Sequence, residues 1–384
     1  MHLFWLLLSG TIALAWIGNV IEIALGVPKL PSLSKVNPLR DEECPTVSIL
    51  VAARDEAEKL PAALKTFLAM DYPWYEVVAV DDRSEDATEN ILQNAAADDP
   101  RLKVVQIESL PPGWLGKPHA LQQAYEHSNG EWLVFTDADV TFAPDLLRRS
   151  LAMALERGWD HLTLMGRAEM YGFWEKIAMT FFGLGFLMGT RPWSVSNPKS
   201  AAYVGVGSFQ LIRRSAYERM GTHRVLAMEV VDDVKLGKVV KAAGFRSGVG
   251  RAGGAVSVHW HSGVRNIVLG TTKNFFAVTG FRLWVVGVQL FGIFFMWILP
   301  LMILPFVHGW TFVFAAVGVV LPILMQIGVA LEFRVSPLYA LTYPIGAAIM
   351  GWMLVRSTVV ILRQGGIIWR GTFYALEELR RGVV

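Results

Sequence analysis

Two uncharged apolar blocks constrain this chain more than any other feature. The first runs from Leu3 to Ile21 without a charge and continues past Glu22 to Val27. The second starts after Arg282: Leu283–Leu331 holds no charged residue and is broken at His308-Gly309. After Glu332-Phe333-Arg334, the stretch Val335–Val355 is again uncharged. A bilayer core takes about 20 apolar residues in a helix. Residues 1–27 are long enough to span, and two more helices fit at about Leu283–Val307 and Trp310–Leu331. A cleaved signal peptide would open on basic residues and end at a small-x-small site. Here Met1-His2-Leu3 comes first and bulky residues continue, which reads as an anchor that is kept.

Composition agrees. Hydrophobic residues make up 53% of the 384 and charged residues 18%, against about 25% charged in a typical soluble domain. That excludes a disordered chain and argues against a purely water-soluble enzyme. The net charge of +2 (35 Lys+Arg, 33 Asp+Glu) lacks the basic excess of a nucleic-acid binder. The single cysteine, Cys44, excludes an intrachain disulfide and a cysteine-based zinc site.

Lys29, Lys35 and Arg40 follow the first apolar block, so the positive-inside rule puts the middle of the chain in the cytoplasm. Three further full spans would carry the basic tail outside, against the same rule. Either Val335–Val355 re-enters without crossing, or the tail is an exception. The expected organisation is a transmembrane anchor (1–27), a cytoplasmic soluble domain (41–262), an interfacial segment (263–282), a C-terminal transmembrane region (283–355) and a basic amphipathic tail (356–384). In the tail, Trp369, Phe373, Tyr374 and Leu376 alternate with Arg363, Arg370 and Arg380, as in a segment lying on a membrane surface. Inside the soluble domain, Ile177–Thr190 is apolar but too short to span. It reads equally as a buried helix or as an interfacial segment.

The soluble domain opens on Val47–Ala53, a short apolar run followed by Arg54-Asp55-Glu56. A helical pattern leads to Met70. Glu76–Asp82 and Glu131–Asp139 are two more strand signatures ending in carboxylates, with helices at Ala87–Ala97 and His119–His127 and a strand at Leu102–Ile107. Alternating strands and helices of this length predict an α/β fold, a mostly parallel Rossmann-like sheet with helices on both faces. Ligands of such sheets bind at the carboxyl ends of the strands, where Asp55, Asp82, Asp137 and Asp139 fall. The first turn has no glycine and there is no G-x-x-x-x-G-K-[ST] loop, so dinucleotide enzymes and P-loop NTPases fit poorly.

Each motif carries two readings. Asp137-Ala138-Asp139 at a strand end can approach one hard cation, Mg²⁺ or Mn²⁺, that neutralises a departing diphosphate; Asp139 or Thr141 could instead cap a helix. Asp82, like Asp55-Glu56, can accept a base N–H or belong to a capped turn. Lys117 at a helix start is the wrong charge for the dipole unless an anion shares the site; it could also be solvated. Gly205-Val206-Gly207 permits close backbone approach to a ligand or a tight bend in a strand. Asp232-Asp233 at a helix start suits the dipole, or supplies a general base that takes a proton from an acceptor hydroxyl. His259-Trp260-His261 offers two histidines that could bind metal, but structural or acceptor-site roles are favoured. Lys273 and Arg265 could reach a diphosphate or mark the membrane interface.

In this order the residues resemble family 2 glycosyltransferases of the GT-A fold: Val47–Glu56 (VSILVAARDE), Val80–Ser84 (VDDRS), Gly116-Lys117, Thr136–Asp139, Gly205–Phe209 and Val231–Leu236 (VDDVKL). The resemblance covers about Thr46 to Lys241 and the membrane arrangement. Leu110–Gln122 (LPPGWLGKPHALQ) with Phe135–Pro144 looks most like the hopene-associated and carotenoid glycosyltransferases, and the wider set includes ceramide glucosyltransferase-like enzymes.

The resemblance implies that Asp55, Glu56 and Asp82 hold the nucleoside and that Lys117 supports the donor, with Lys273 assigned to the same side. Asp137 and Asp139 would hold the donor and its metal. Asp233 would be the base, with Asp232 in place of the family's glutamate. Gly207, His259 and Trp260 fall to the acceptor. The Q-x-x-R-W of processive synthases does not occur between Asp233 and Arg282. The expectation is therefore an inverting membrane-bound enzyme that moves one sugar from a nucleotide-sugar donor, UDP-linked above all, to a lipid hydroxyl of hopanoid, carotenoid, sphingolipid or polyprenol type, in a bacterial-type inner membrane. A polysaccharide synthase and a non-catalytic membrane adaptor are the alternatives.

Overall fold

The structure, a computed structural model, describes residues 2–260 and 263–384. His261, the last residue of the His259-Trp260-His261 motif, lies outside the described residues. The chain divides into two units.

The sheet unit comprises residues 30–169, 192–259 and 368–384. Its strands are β1 (Val47–Ala53), β2 (Tyr75–Asp82), β3 (Leu102–Ile107), β4 (Trp132–Asp137), β5 (Val140–Phe142), β6 (His161–Ala168), β7 (Gln210–Arg213) and β8 (Ser247–Val258). They form one sheet in the order β3-β2-β1-β4-β7-β6-β8-β5. β1, β2, β3 and β4 are mutually parallel, β6 and β8 pair in parallel, and β7 joins the two sets antiparallel to both β4 and β6.

The continuous apolar runs of the first strands follow from burial on both faces. Side chains alternate in direction along a strand. Ile49, Val51, Val77, Ala79, Trp132 and Val134 therefore join one core, and Leu50, Val78, Val80, Leu133 and Phe135 the other. The first core is closed by Leu60, Leu64 and Phe67 of the helix Leu60–Leu68. The second is closed by Ala120, Leu121 and Ala124 of the helix Gly116–Glu126 and by Leu236 and Val240 of the helix Asp232–Ala242. Phe67 is fully buried, so its truncation to alanine should cost about 3–5 kcal/mol. Register sets the functional edge: Ala53 pairs with Asp81 on one side, and Ala52 with Asp137 on the other. The ends of β1, β2 and β4 thus share one rim.

The apolar-helix unit comprises residues 1–29, 170–191 and 260–367. Among the described residues four helices are long and apolar enough to cross a membrane: His2–Lys29, Leu283–Phe306, Gly309–Glu332 and Pro337–Gln364. Leu3, Leu7, Trp284, Phe291 and Trp310 are exposed, as lipid-facing residues of such helices would be. Helices in lipid gain no hydrophobic drive from meeting one another, so close packing and polar contacts must hold them. Trp297 is the hub: its ring lies 4.7 Å from Trp16 and 4.6 Å from Phe181. Pro300 has no N–H to give the carbonyl of Met296, four residues back; the indole of Trp16 donates to that carbonyl at 3.0 Å. The helix Phe173–Thr190, which contains the short apolar stretch, belongs to this unit. Its Phe181 packs against Gly346, where a Cβ would stand 2.6 Å from the Phe181 Cβ.

Candidate active site

The site is built on the rim of the sheet unit. After β1 the chain turns through Asp55, whose φ of 52° is unusual for a residue with a side chain. The Asp55 N–H donates to Ser84 Oγ at 3.1 Å, and its carboxylate accepts the N–H of Glu85 at 2.8 Å. Ser84 Oγ in turn donates to Asp81. The loops after β1 and β2 are thereby tied together, and one oxygen of Asp55 is used in the tie. Burial pushes the Asp81 carboxyl above its ordinary range.

Asp82 is 4% exposed. Arg83, at φ 58°, folds back to give it a two-pronged ion pair, Nε at 2.8 Å and Nη2 at 3.2 Å. On its other side Asp82 meets Gly116, where any Cβ would collide with its carboxylate. That is the physical reason for glycine in Gly116-Lys117: it lets the helix start approach the β2 carboxylate. One residue on, Lys117 Nζ stands 2.5 Å from Asp137 Oδ1. Burial works against the Lys117 charge, but Asp137, Asp232 and Asp233 outweigh it and raise its pKa above the ordinary value.

Gly207 brings the remaining acids together. Its carbonyl accepts the Asp137 N–H at 3.0 Å and its N–H donates to Asp233 Oδ2 at 2.9 Å. A Cβ on Gly207 would stand 2.5 Å from Asp137 Oδ2 and 3.1 Å from Asp233 Oδ2. The last acid of β4 and an acid at the start of the helix Asp232–Ala242 therefore face the same glycine. Val234 N–H donates to the other Asp233 oxygen at 2.8 Å. The Asp233 carbonyl accepts from Gln210 at 3.2 Å, and Gln210 lies 3.1 Å from the buried His161. Burial pulls His161 down to about 4, so it is neutral at physiological pH. Asp232 is 3% exposed, whereas Asp233 is only half-buried and so is the better presented of the pair.

Asp139 accepts from Lys59 Nζ at 3.0 Å, and the same ammonium donates to the His259 carbonyl at 3.0 Å. Burial, then the charge of Asp137, holds the Asp139 carboxyl above its usual range. Two mutually repelling carboxylates suit a divalent cation. Among the described residues no cluster of three or more His, Cys, Asp or Glu side chains is arranged to hold a metal. A divalent cation at this rim would rest on one or two of these carboxylates, with oxygens of a bound substrate completing its shell. Glu56 is also raised, by burial first, with Arg370 opposing and Asp139 adding to the shift.

Asp55, Glu56, Asp82, Lys117, Asp137, Asp139, Asp232, Asp233, Gly207 and His259 all belong to the sheet unit. Trp260 and Lys273 belong to the apolar-helix unit; there the Trp260 ring lies 5.7 Å from Phe182, and Lys273 Nζ donates to Asn274 at 3.1 Å. Sequence reasoning missed Lys59, Gln210 and the contact of Arg370 with Glu56. These are partnerships across 23 to 314 positions of the chain, and spacing carries no signal for them.

Residues 48–221 match the family described as Glycosyl transferase family 2. The chain is 24% identical over 238 residues to a 4,4'-diaponeurosporenoate glycosyltransferase of Staphylococcus haemolyticus, covering 61% of this chain and 62% of that one. It is 38% identical over 105 residues to a beta-monoglucosyldiacylglycerol synthase of Nostoc sp., covering 27% of this chain and 22% of the other. The alignments thus span less than two thirds of these relatives' lengths. Among solved structures, the mannosyltransferase PcManGT of Pyrobaculum calidifontis, in complex with GDP-Man and Mn2+, superposes with a TM-score of 0.55 at 18% identity, over 94% of this chain and 99% of that one. The likeness is one of fold, and residues 48–221 carry a glycosyl transferase family 2 domain.

Proposed function

We propose that this protein is a membrane-bound inverting glycosyltransferase that moves a single sugar from a nucleotide donor to a lipid hydroxyl. The convergence of Asp137, Asp233 and Lys117 about Gly207 carries the reading. In the proposed reaction, Asp233 takes the proton of the acceptor hydroxyl. The acceptor oxygen forms its bond to the anomeric carbon on the face opposite the diphosphate, and the bond from that carbon to the diphosphate oxygen breaks, which inverts the centre. Lys117 supplies positive charge where the leaving diphosphate gains negative charge. Asp137 and Asp139 would hold Mg²⁺ or Mn²⁺, which when bound neutralises the same diphosphate. Asp55, Glu56 and Asp82 are assigned to the nucleoside, with Lys273 on the donor side, and Gly207, His259 and Trp260 to the acceptor. UDP is the preferred nucleotide.

A lipid acceptor is supported by the four apolar helices and by relatives whose names specify a carotenoid acid and a diacylglycerol glycolipid. In this reading residues 1–27 and 283–355 hold the chain in a bacterial-type inner membrane, and residues 41–262 work in the cytoplasm. A screen of UDP- and GDP-sugars against a membrane lipid extract, with mass spectrometry of the lipids, tests it. A lipid heavier by one sugar supports the reading. A ladder of sugars would mean a polymerase, and no consumption of any nucleotide sugar would favour an adaptor.

A further inference from the structure

The last residues of the chain do not stay with the apolar helices. After the helix Tyr343–Gln364 the chain makes a hairpin, Gly366–Trp369 and Thr372–Ala375, then a short helix, Leu376–Arg381. From residue 368 onward this segment belongs to the sheet unit. It is seated firmly: Leu379 is fully buried and Tyr374 is 6% exposed. Its end is held beside the Asp232–Ala242 helix, with Lys235 Nζ donating to the Val384 carbonyl at 2.5 Å and the Val384 N–H donating to Glu229 at 3.1 Å.

The hairpin turn has Arg370 and Gly371 both at positive φ, 48° and 76°, the backbone of a tight two-residue turn. Arginine is a costly choice in that conformation, and its guanidinium has a specific target. It pairs with the Glu56 carboxylate and donates to the Asp55 carbonyl at 3.3 Å. Four residues on, the buried Tyr374 lies near enough to Arg83, the partner of Asp82, to favour its charge. The tail therefore reaches both loops assigned to the nucleoside. Glu56 sits among Arg370, Lys59 and Asp139; removing Arg370 leaves a largely buried carboxylate near another acid. The match to the glycosyltransferase family ends at residue 221, so it assigns nothing to this segment.

We infer that residues 368–384 form a wall of the donor-nucleotide site, and that Arg370 is a positioning residue that holds the Asp55-Glu56 loop in its nucleoside-accepting arrangement. The inference rests on the glycosyltransferase reading. A fork of two donors across one peptide is something arginine does and lysine only partly replaces.

The test uses the full chain in nanodiscs, with donor KM, acceptor KM and kcat measured for wild type, Arg370→Ala, Arg370→Lys and Tyr374→Phe, and binding of UDP and GDP followed by calorimetry. Arg40→Ala, on the exposed stretch before β1, is the control. Loss of this pair, whose guanidinium is 41% exposed, should raise the donor KM of Arg370→Ala about three- to fivefold, with kcat and acceptor KM near wild type and Arg370→Lys in between. Tyr374→Phe should shift donor KM in the same direction without lowering the melting temperature. An unchanged donor KM in Arg370→Ala would overturn the inference. So would a fall in kcat with no rescue by lysine. A wild-type protein that neither binds nucleotide nor turns over would instead remove the glycosyltransferase reading, and the inference with it.

Discussion

Glycine serves opposite ends in the two units. In the sheet unit Gly116, Gly205 and Gly207 leave out a Cβ so that the chain can come up against carboxylates and the backbone that carries them. In the apolar-helix unit Gly183, Gly318 and Gly346 leave it out so that helices can close on Phe333, Pro300 and Phe181. Removing space in the first should therefore damage chemistry, and in the second assembly. The same contrast runs through the charges. The rim holds acids and lysines in ion pairs, whereas the long helices hold together through aromatic rings, small residues and the Trp16–Met296 hydrogen bond. Among the described residues the apolar-helix unit has fewer charged contacts, the Arg191–Glu22 ion pair and the bond of Arg356 to Thr272 included, as expected where burying an unpaired charge is expensive.

The comparison can be broken from either side. The largest effect is expected on the rim: Asp137→Ala should lower kcat by on the order of 10²–10³-fold, and chelation of divalent cations should do so reversibly, with no loss of folded protein by circular dichroism. Gly207→Ala comes next. Its methyl must displace Asp137 or Asp233, and a misplacement of about 1 Å costs on the order of 100-fold in turnover, with a melting temperature near wild type. Gly346→Leu is the mirror experiment. Overpacking against Phe181 should cost about 1–3 kcal/mol of stability, read by thermal unfolding in detergent, while kcat of the folded fraction holds. A Gly346 variant that kept its stability and lost turnover would erase the distinction.

A further effect is a pH dependence confined to one unit. Burial pulls His161 down to about 4 and His223 to about 3. The folded protein binds fewer protons than the unfolded chain between those values and the ordinary imidazole pKa, about 6.5. The stability they confer is thus complete above about pH 6.5 and is lost as the pH falls through that window. Hydrogen exchange at pH 7 and pH 5 should show lost protection in β6 and β7 and none in Gly309–Glu332. His161→Gln should flatten the change.

Much of this architecture was legible in the residues. The runs Val47–Ala53 and Glu76–Asp82 announced strands because parallel strands buried on both faces have little polar alternation to blur them; Leu102–Ile107 was legible although it is an edge strand with Lys103 and Gln106 exposed. The apolar blocks announced long helices for a similar reason, being unbroken by charge. β5, β6 and β7 were not anticipated, and of β8 only the strand-like run Ala255–Val258 was legible: β5 and β7 are short, and the first eight residues of β8 hold four glycines, which reads as loop. At the site, each acid could be found at a strand end or helix start, but its partner could not. Nothing near Asp139 points to Lys59, and nothing in the Trp369–Leu376 pattern says that Arg370 meets Glu56 and not a lipid headgroup. Ion pairs of this kind are decided by the fold, after the periodic signals have been spent.

The central claim is that Asp233, turned toward Gly207 and Asp137, accepts the proton of the incoming hydroxyl. Its most direct test sets donor binding beside transfer in wild type and Asp233→Asn, both reconstituted with nucleotide sugar and lipid. The account predicts nucleotide binding within a few-fold of wild type and transfer reduced by on the order of 10³-fold or more. Transfer at the wild-type rate by Asp233→Asn would contradict it.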